Sequence, residues 1–87
     1  MKLILSRAAR DFLESLPSKP FRQIVTAIFR LLSEPYPHDA KRLKGDPYSR
    51  IDVGEYRVVY EVKNEEVRIL IIGKRNDDEV YRLLKRH

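Results

Sequence analysis

The chain has 87 residues, no cysteine, two histidines and 43% hydrophobic residues, which describes one small globular domain, residues 1–87, that no disulfide or thiolate-bound metal can staple. His38 and His87 lie far apart and lack ligand spacing, which argues against a metal centre or other cofactor. The N-terminal apolar run Leu3-Ile4-Leu5 is too short for a signal peptide and no other run reaches transmembrane length, so a soluble, cytoplasmic protein is expected; its formal charge of +5 favours a polyanionic partner.

In chain order, Met1–Leu5 reads as a short strand that joins a sheet. Ser6 caps a helix carrying Ala9, Phe12, Leu13 and Leu16 at helical spacing, ended by Leu16-Pro17. Ser18 is positioned to cap a second helix, with Pro20 in its first turn and an apolar stripe of Phe21, Ile24, Val25, Ile28, Leu31 and Leu32. The stripe reads as core-facing, with a partner groove as the alternative. The two helices form an antiparallel hairpin over one face of the sheet. Pro35 and Pro37 make residues 34–40 a loop, with His38 exposed on it. Lys41-Arg-Leu-Lys-Gly45 follows, readable either as a solvated linker or as a phosphate-facing rim.

Residues Arg50–Arg75 hold three β-rich runs separated by Gly54-Glu55 and Asn64-Glu65. Turns this short join only antiparallel neighbours, so a meander is expected. Val67–Ile72 is almost continuously aliphatic, which places it centrally with both faces buried. Alternation puts Arg50 and Asp52 on one face, points Arg57 away from Tyr56 and Val58, and sends Tyr56 and Tyr60 into the core. After Gly73, Asn76 and Glu79 start a short C-terminal helix with acidic residues in its first turn and basic ones in its last. The expected fold is α+β, in the order β-α-α-β-β-β-α. It has a four-stranded, mainly antiparallel sheet with an N-terminal helical hairpin on one face and a short C-terminal helix.

These motifs, in this order, resemble the RelE/ParE toxin superfamily, and its RelE-like branch in particular. The residues that carry the resemblance are Lys41-Arg-Leu-Lys-Gly45, Tyr48-Ser-Arg-Ile-Asp-Val-Gly-Glu-Tyr-Arg-Val-Val-Tyr60, the aliphatic strand ending Gly73-Lys-Arg75, and Glu79-Val-Tyr81. The resemblance implies the toxin of a type II toxin–antitoxin pair that cuts mRNA in the ribosomal A site without a metal and is restrained by a cognate antitoxin. It implies Arg57, Arg75 and Tyr81 as the catalytic set. The family's basic pair on the preceding strand is matched in part, with Arg50 in the first place and Asp52 in the second. The alternatives are a ParE-like gyrase poison with the same fold and no nuclease activity, and a non-catalytic binding module.

Cleavage by transesterification needs a deprotonated 2'-OH, a stabilised pentavalent phosphate and a protonated leaving group. With no suitably placed histidine, such a chain leans on electrostatics and positioning. Arg57 and Arg75 suit the phosphate, because guanidinium is always charged and grips it bidentately. Tyr81 suits a splayed base or the 2'-OH, and Lys41, Lys44, Arg50 and Lys74 suit neighbouring phosphates of mRNA or ribosomal RNA. The structural alternatives pair Arg57 with Glu61 or Asp52, and Arg75 with Asp77 or Asp78.

Overall fold

A computed structural model of the chain describes residues 1–43, 45 and 47–75. Its elements are β1 (Lys2–Leu5), α1 (Arg7–Glu14), α2 (Ser18–Ser33), β2 (Lys41–Arg42), β3 (Ser49–Val53), β4 (Tyr56–Lys63) and β5 (Glu66–Lys74). The expected C-terminal helix, with Tyr81, and Lys44 lie outside the described residues.

Ser6 starts the helical layer and ties it to the sheet in one step. Its extended backbone (φ −65°, ψ 161°) lets the hydroxyl accept from the Ala9 N–H at 3.0 Å, satisfying one of the orphan donors at the start of α1. The same hydroxyl donates to the Leu70 carbonyl at 2.6 Å, and the Ser6 N–H donates to the Ile69 carbonyl at 2.9 Å. Ser6→Ala therefore removes a cap and strands a part-buried strand carbonyl. A loss of about 2 kcal/mol is expected in urea unfolding, and Ser6→Thr should recover most of it.

The helices form as their spacing dictates. Ala9 and Leu13 bury one side of α1, with half-buried Phe12 and Leu16 beside them. Ser15 closes α1 ahead of Pro17, which disfavours helical geometry at Leu16. Pro17, rather than Ser18, holds the cap position of α2, and no side chain caps it. Ile24, Ile28 and Leu31 bury a stripe at i, i+4 and i+7. Phe21, expected on that stripe, sits at its edge and is 39% exposed.

The sheet order is β1-β5-β4-β3-β2. It has five strands rather than four, and it is mixed. Lys41 and Arg42 pair with Arg50 and Ser49 to make a two-residue edge strand, too short to leave any alternation in the sequence. Strand β1 runs parallel to β5, with Leu3 opposite Val67 and Leu5 opposite Ile69. The meander β3-β4-β5 is antiparallel throughout, and β5 is central as its apolar run requires. Gly54 takes φ +59° at the first position of one hairpin loop, as a type II′ turn demands. Asn64 and Glu65 take φ 54° and 60° in the other, the signature of type I′.

One irregularity explains why β5 is aliphatic without alternation. Val59 pairs with Ile71 and Tyr60 with Ile69, so Leu70 is an extra residue in β5. This bulge inverts the faces. Val67 and Ile69 before it, and Ile72 after it, all enter the core beneath the helices, together with Ala9, Leu13, Ile24, Ile28, Leu31, Ile51, Val58 and Tyr60. Val59 and Ile71 bury a smaller cluster on the opposite face with Leu43, Tyr48 and Leu70. Tyr56 meets Phe12 edge-on at 5.9 Å, and the fully buried Tyr60 hydroxyl donates to the Pro35 carbonyl at 2.7 Å, fastening the loop after α2 to β4.

Candidate functional site

Strand pairing builds the site from the β3–β4 hairpin and the end of β5. Asp52 on β3 lies directly opposite Arg57 on β4, and cross-strand partners share a face. The Arg57 Nε donates to Asp52 Oδ1 at 2.8 Å and its Nη2 to Oδ2 at 3.4 Å, a two-pronged grip that orients the guanidinium plane. Arg50 stands two residues from Asp52 on the same face, with Nη1 at 3.5 Å from Oδ1. Arg75 follows the end of β5. Its N–H donates to the Glu55 carbonyl at 2.9 Å and its Nη1 approaches the Gly54 carbonyl at 3.4 Å, so the β3–β4 turn holds it beside the other two. Gly73, directly opposite Arg57, adds no side chain to this row.

Three arginines thus act on one carboxylate. The Arg57 hydrogen bond holds Asp52 below the usual carboxylate range; partial burial opposes this, and the charges of Arg57, Arg50 and Arg75 reinforce it. Asp52 is therefore ionised at neutral pH and a poor proton acceptor, because a depressed pKa weakens a general base. Its chemical role here is to orient Arg57. An excess of positive charge remains at this end of the face. At the other end Arg68 is neutralised by Glu66 at 2.7 Å and Glu61 at 3.7 Å, so positive potential concentrates around Arg50, Arg57 and Arg75.

The expected site residues sort as follows. Arg50, Arg57 and Arg75 come together, and Lys41 joins them on the same face, directly opposite Arg50. Of the alternative pairings, Arg57 takes Asp52. Lys74 lies opposite Tyr56, so its strand position belongs to the helix-covered face, away from Arg57. Tyr81 and Lys44, and with them Asp77 and Asp78, are outside the described residues. His38 is exposed in the loop after α2, on the wall of a cleft of about 460 Å3 between α2 and β3 that Asp52 also borders. Among the described residues, no group of three or more His, Asp or Glu is placed to hold a metal, and no helix is long and apolar enough to cross a membrane.

Comparison with known proteins gives this geometry a context. Residues 3–79 match the model of a family described as the ParE toxin of the type II toxin–antitoxin system parDE. Among solved structures, a mutant of the E. coli toxin RelE in the free state superposes with a TM-score of 0.81 at 28% identity, covering 98% of this chain and 95% of that one. The archaeal RelE–RelB complex from Pyrococcus horikoshii matches with a TM-score of 0.76 at 27% identity, over 85% and 93% of the two chains. The RelBE2 toxin–antitoxin complex from Mycobacterium tuberculosis matches with a TM-score of 0.70 at 26% identity, over 85% and 96%. No curated protein matches by sequence.

Proposed function

Since this chain belongs to the ParE toxin family, within the RelE/ParE superfamily of type II toxins, we propose that it is a ribosome-dependent mRNA endoribonuclease of the RelE kind. The observation that carries this reading is the convergence of Arg50, Arg57 and Arg75 on one open sheet face, with Arg57 oriented by Asp52. Fixed guanidinium groups are what a phosphoryl transition state needs where no imidazole is at hand.

In the proposed reaction the 2'-hydroxyl gives its proton to water as its oxygen attacks the adjacent phosphorus, and the bond to the 5'-oxygen breaks as that oxygen takes a proton from water, leaving a cyclic phosphate and a free 5'-hydroxyl. Arg57 and Arg75 bracket the phosphate as negative charge builds on its equatorial oxygens. Arg50 and Lys41 hold the flanking backbone. Tyr81 completes the set by stacking on a base or contacting the 2'-OH, a role that rests on the family resemblance. Asp52 stands where the superfamily's second basic residue is expected and takes no proton in this scheme. The RelE structures solved with RelB support a cognate antitoxin as the physiological partner, and the basic face suits an acidic segment of it.

A second reading, a gyrase poison, is favoured by one finding: the matching family model is that of the ParE toxin. Primer extension on mRNA in a purified translation system separates the two. Wild-type protein is expected to create new 5' ends only when ribosomes are present, and Arg75→Ala to reduce them roughly 10²-fold. Intact mRNA, together with inhibited supercoiling by gyrase, would replace the nuclease reading with the second one.

A further inference from the structure

We propose that the depression at the β2 edge, between Tyr36 and Arg42, is a nucleotide subsite that seats one base and its phosphate of single-stranded RNA upstream or downstream of the arginine face. This rests on the RNA-cleaving reading above and adds to it a substrate contact remote from Arg57.

Tyr36 is the first observation. At 61% it is the most exposed of the large apolar side chains among the described residues. It is also stiffly mounted. Pro35 and Pro37 flank it, and proline restricts both its own φ and the residue before it. The Tyr60 hydroxyl holds the Pro35 carbonyl at 2.7 Å, and the Ala40 N–H holds the Pro37 carbonyl at 2.9 Å. An exposed aromatic ring on a rigid support loses little entropy when a base stacks on it.

The surroundings are the second. Beside Tyr36 lies a shallow depression of about 410 Å3, lined also by Pro37, Ala40, Lys41 and Arg42. Ser49, only 4% exposed, also lines it. Lys41 and Arg42 have no ion-pair partner among the described residues, so their charge is available to a phosphate. An aromatic face, a guanidinium, an ammonium and a hydroxyl around a space of this size suit one nucleotide.

Continuity with the arginine face is the third. Lys41 lies opposite Arg50, Arg50 approaches Asp52 at 3.5 Å, and Asp52 holds Arg57. From β2 to β4 is two strand spacings, about 10 Å. Arg42 lies opposite Ser49, which pairs with the core-facing Tyr60, so this end of the depression belongs to the helix-covered side. A strand whose phosphate sits on Arg57 reaches it by passing over Lys41 and around the two-residue edge strand β2.

The test is equilibrium binding of a fluorescent 2'-O-methyl oligoribonucleotide, which cannot be cleaved, to the full chain at low salt. Tyr36→Ala is expected to weaken binding roughly tenfold, while Tyr36→Phe stays within about twofold, because stacking needs the ring and not the hydroxyl. Arg42→Gln is expected to flatten the slope of log affinity against log salt by about 0.7, the share of one single-strand phosphate. Tyr36 is a surface residue, and a thermal melt of each variant verifies its fold. Unchanged affinity in Tyr36→Ala, or equal weakening towards an oligomer of abasic nucleotides, would overturn the subsite. Either result leaves ribosome-dependent cleavage by wild-type protein untouched, whereas failure of the nuclease reading appears as intact mRNA in the translation assay.

Discussion

Arg57→Ala is expected to lower ribosome-dependent mRNA cleavage by roughly 10²–10³-fold, equivalent to about 3–4 kcal/mol of transition-state stabilisation. The effect should exceed that of Arg75→Ala for a geometric reason. Arg57 projects from a central strand, its side chain is only 15% exposed, and Asp52 sets its plane through bonds of 2.8 and 3.4 Å. Arg75 hangs from a turn, exposed, and among the described residues its side chain makes one long contact of 3.4 Å. A preorganised donor loses less on reaching the transition state than one that must first be ordered. The fold should survive, since partly exposed ion pairs contribute at most about 1 kcal/mol. Arg57→Lys should recover little, because an ammonium cannot grip carboxylate and phosphate in a planar fork. Single-turnover cleavage on programmed ribosomes measures all three. A rate for Arg57→Ala within threefold of wild type would remove the arginine face from the chemistry.

Raising the pH from 10 to 12 is expected to cost the native state about 2–3 kcal/mol through Tyr60 alone. Burial disfavours the phenolate, and the nearby Tyr36 and Asp39 add to the effect, pushing Tyr60 from its ordinary 10.0 up to about 12. The folded protein therefore keeps its proton where the unfolded chain releases it. The contribution is fully present below pH 10 and disappears as the pH climbs through 12. A shift of about two units corresponds to about 2.7 kcal/mol. Urea unfolding of wild type and Tyr60→Phe at matched pH isolates the term from other titrating groups. The variant should be less stable at pH 7 by about 1–2 kcal/mol, having lost the bond to the Pro35 carbonyl. Above pH 10 the two curves should converge and then cross. Parallel curves would show that Tyr60 is not the buried anchor of the 34–40 loop.

Local physics made much of this protein legible before any tertiary information. Ser6 caps α1 because a hydroxyl before an apolar helical stripe has few other uses. Gly54-Glu55 and Asn64-Glu65 force tight antiparallel turns, and the apolar run from Val67 to Ile72 places β5 inside the sheet. Alternation alone put Arg50 and Asp52 on one face and turned Arg57 away from Tyr56 and Val58, because successive side chains in a strand point to opposite faces. The family's motifs read in the same way, since they are contiguous.

Other features depend on contacts between segments, which no local pattern encodes. The fifth strand exists only because Lys41 and Arg42 meet Ser49 and Arg50; two residues carry no periodicity. The bulge at Leu70 depends on how β5 meets β4, and without it Ile71 and Ile72 would exchange faces. Lys74 read as one more cation after an aliphatic strand, until pairing with Tyr56 assigned it to the other face. Whether Arg57 would pair with Glu61 or with Asp52 was open in the sequence. The direct cross-strand register favoured Asp52, on the facing strand, over Glu61, four residues along Arg57's own strand. The residue types, their alternation and their turns were thus the sequence's own determination. Which cations share a face with Arg57, and which carboxylate orients it, was decided by strand register in three dimensions, because a displacement of one residue reverses every side chain on a strand.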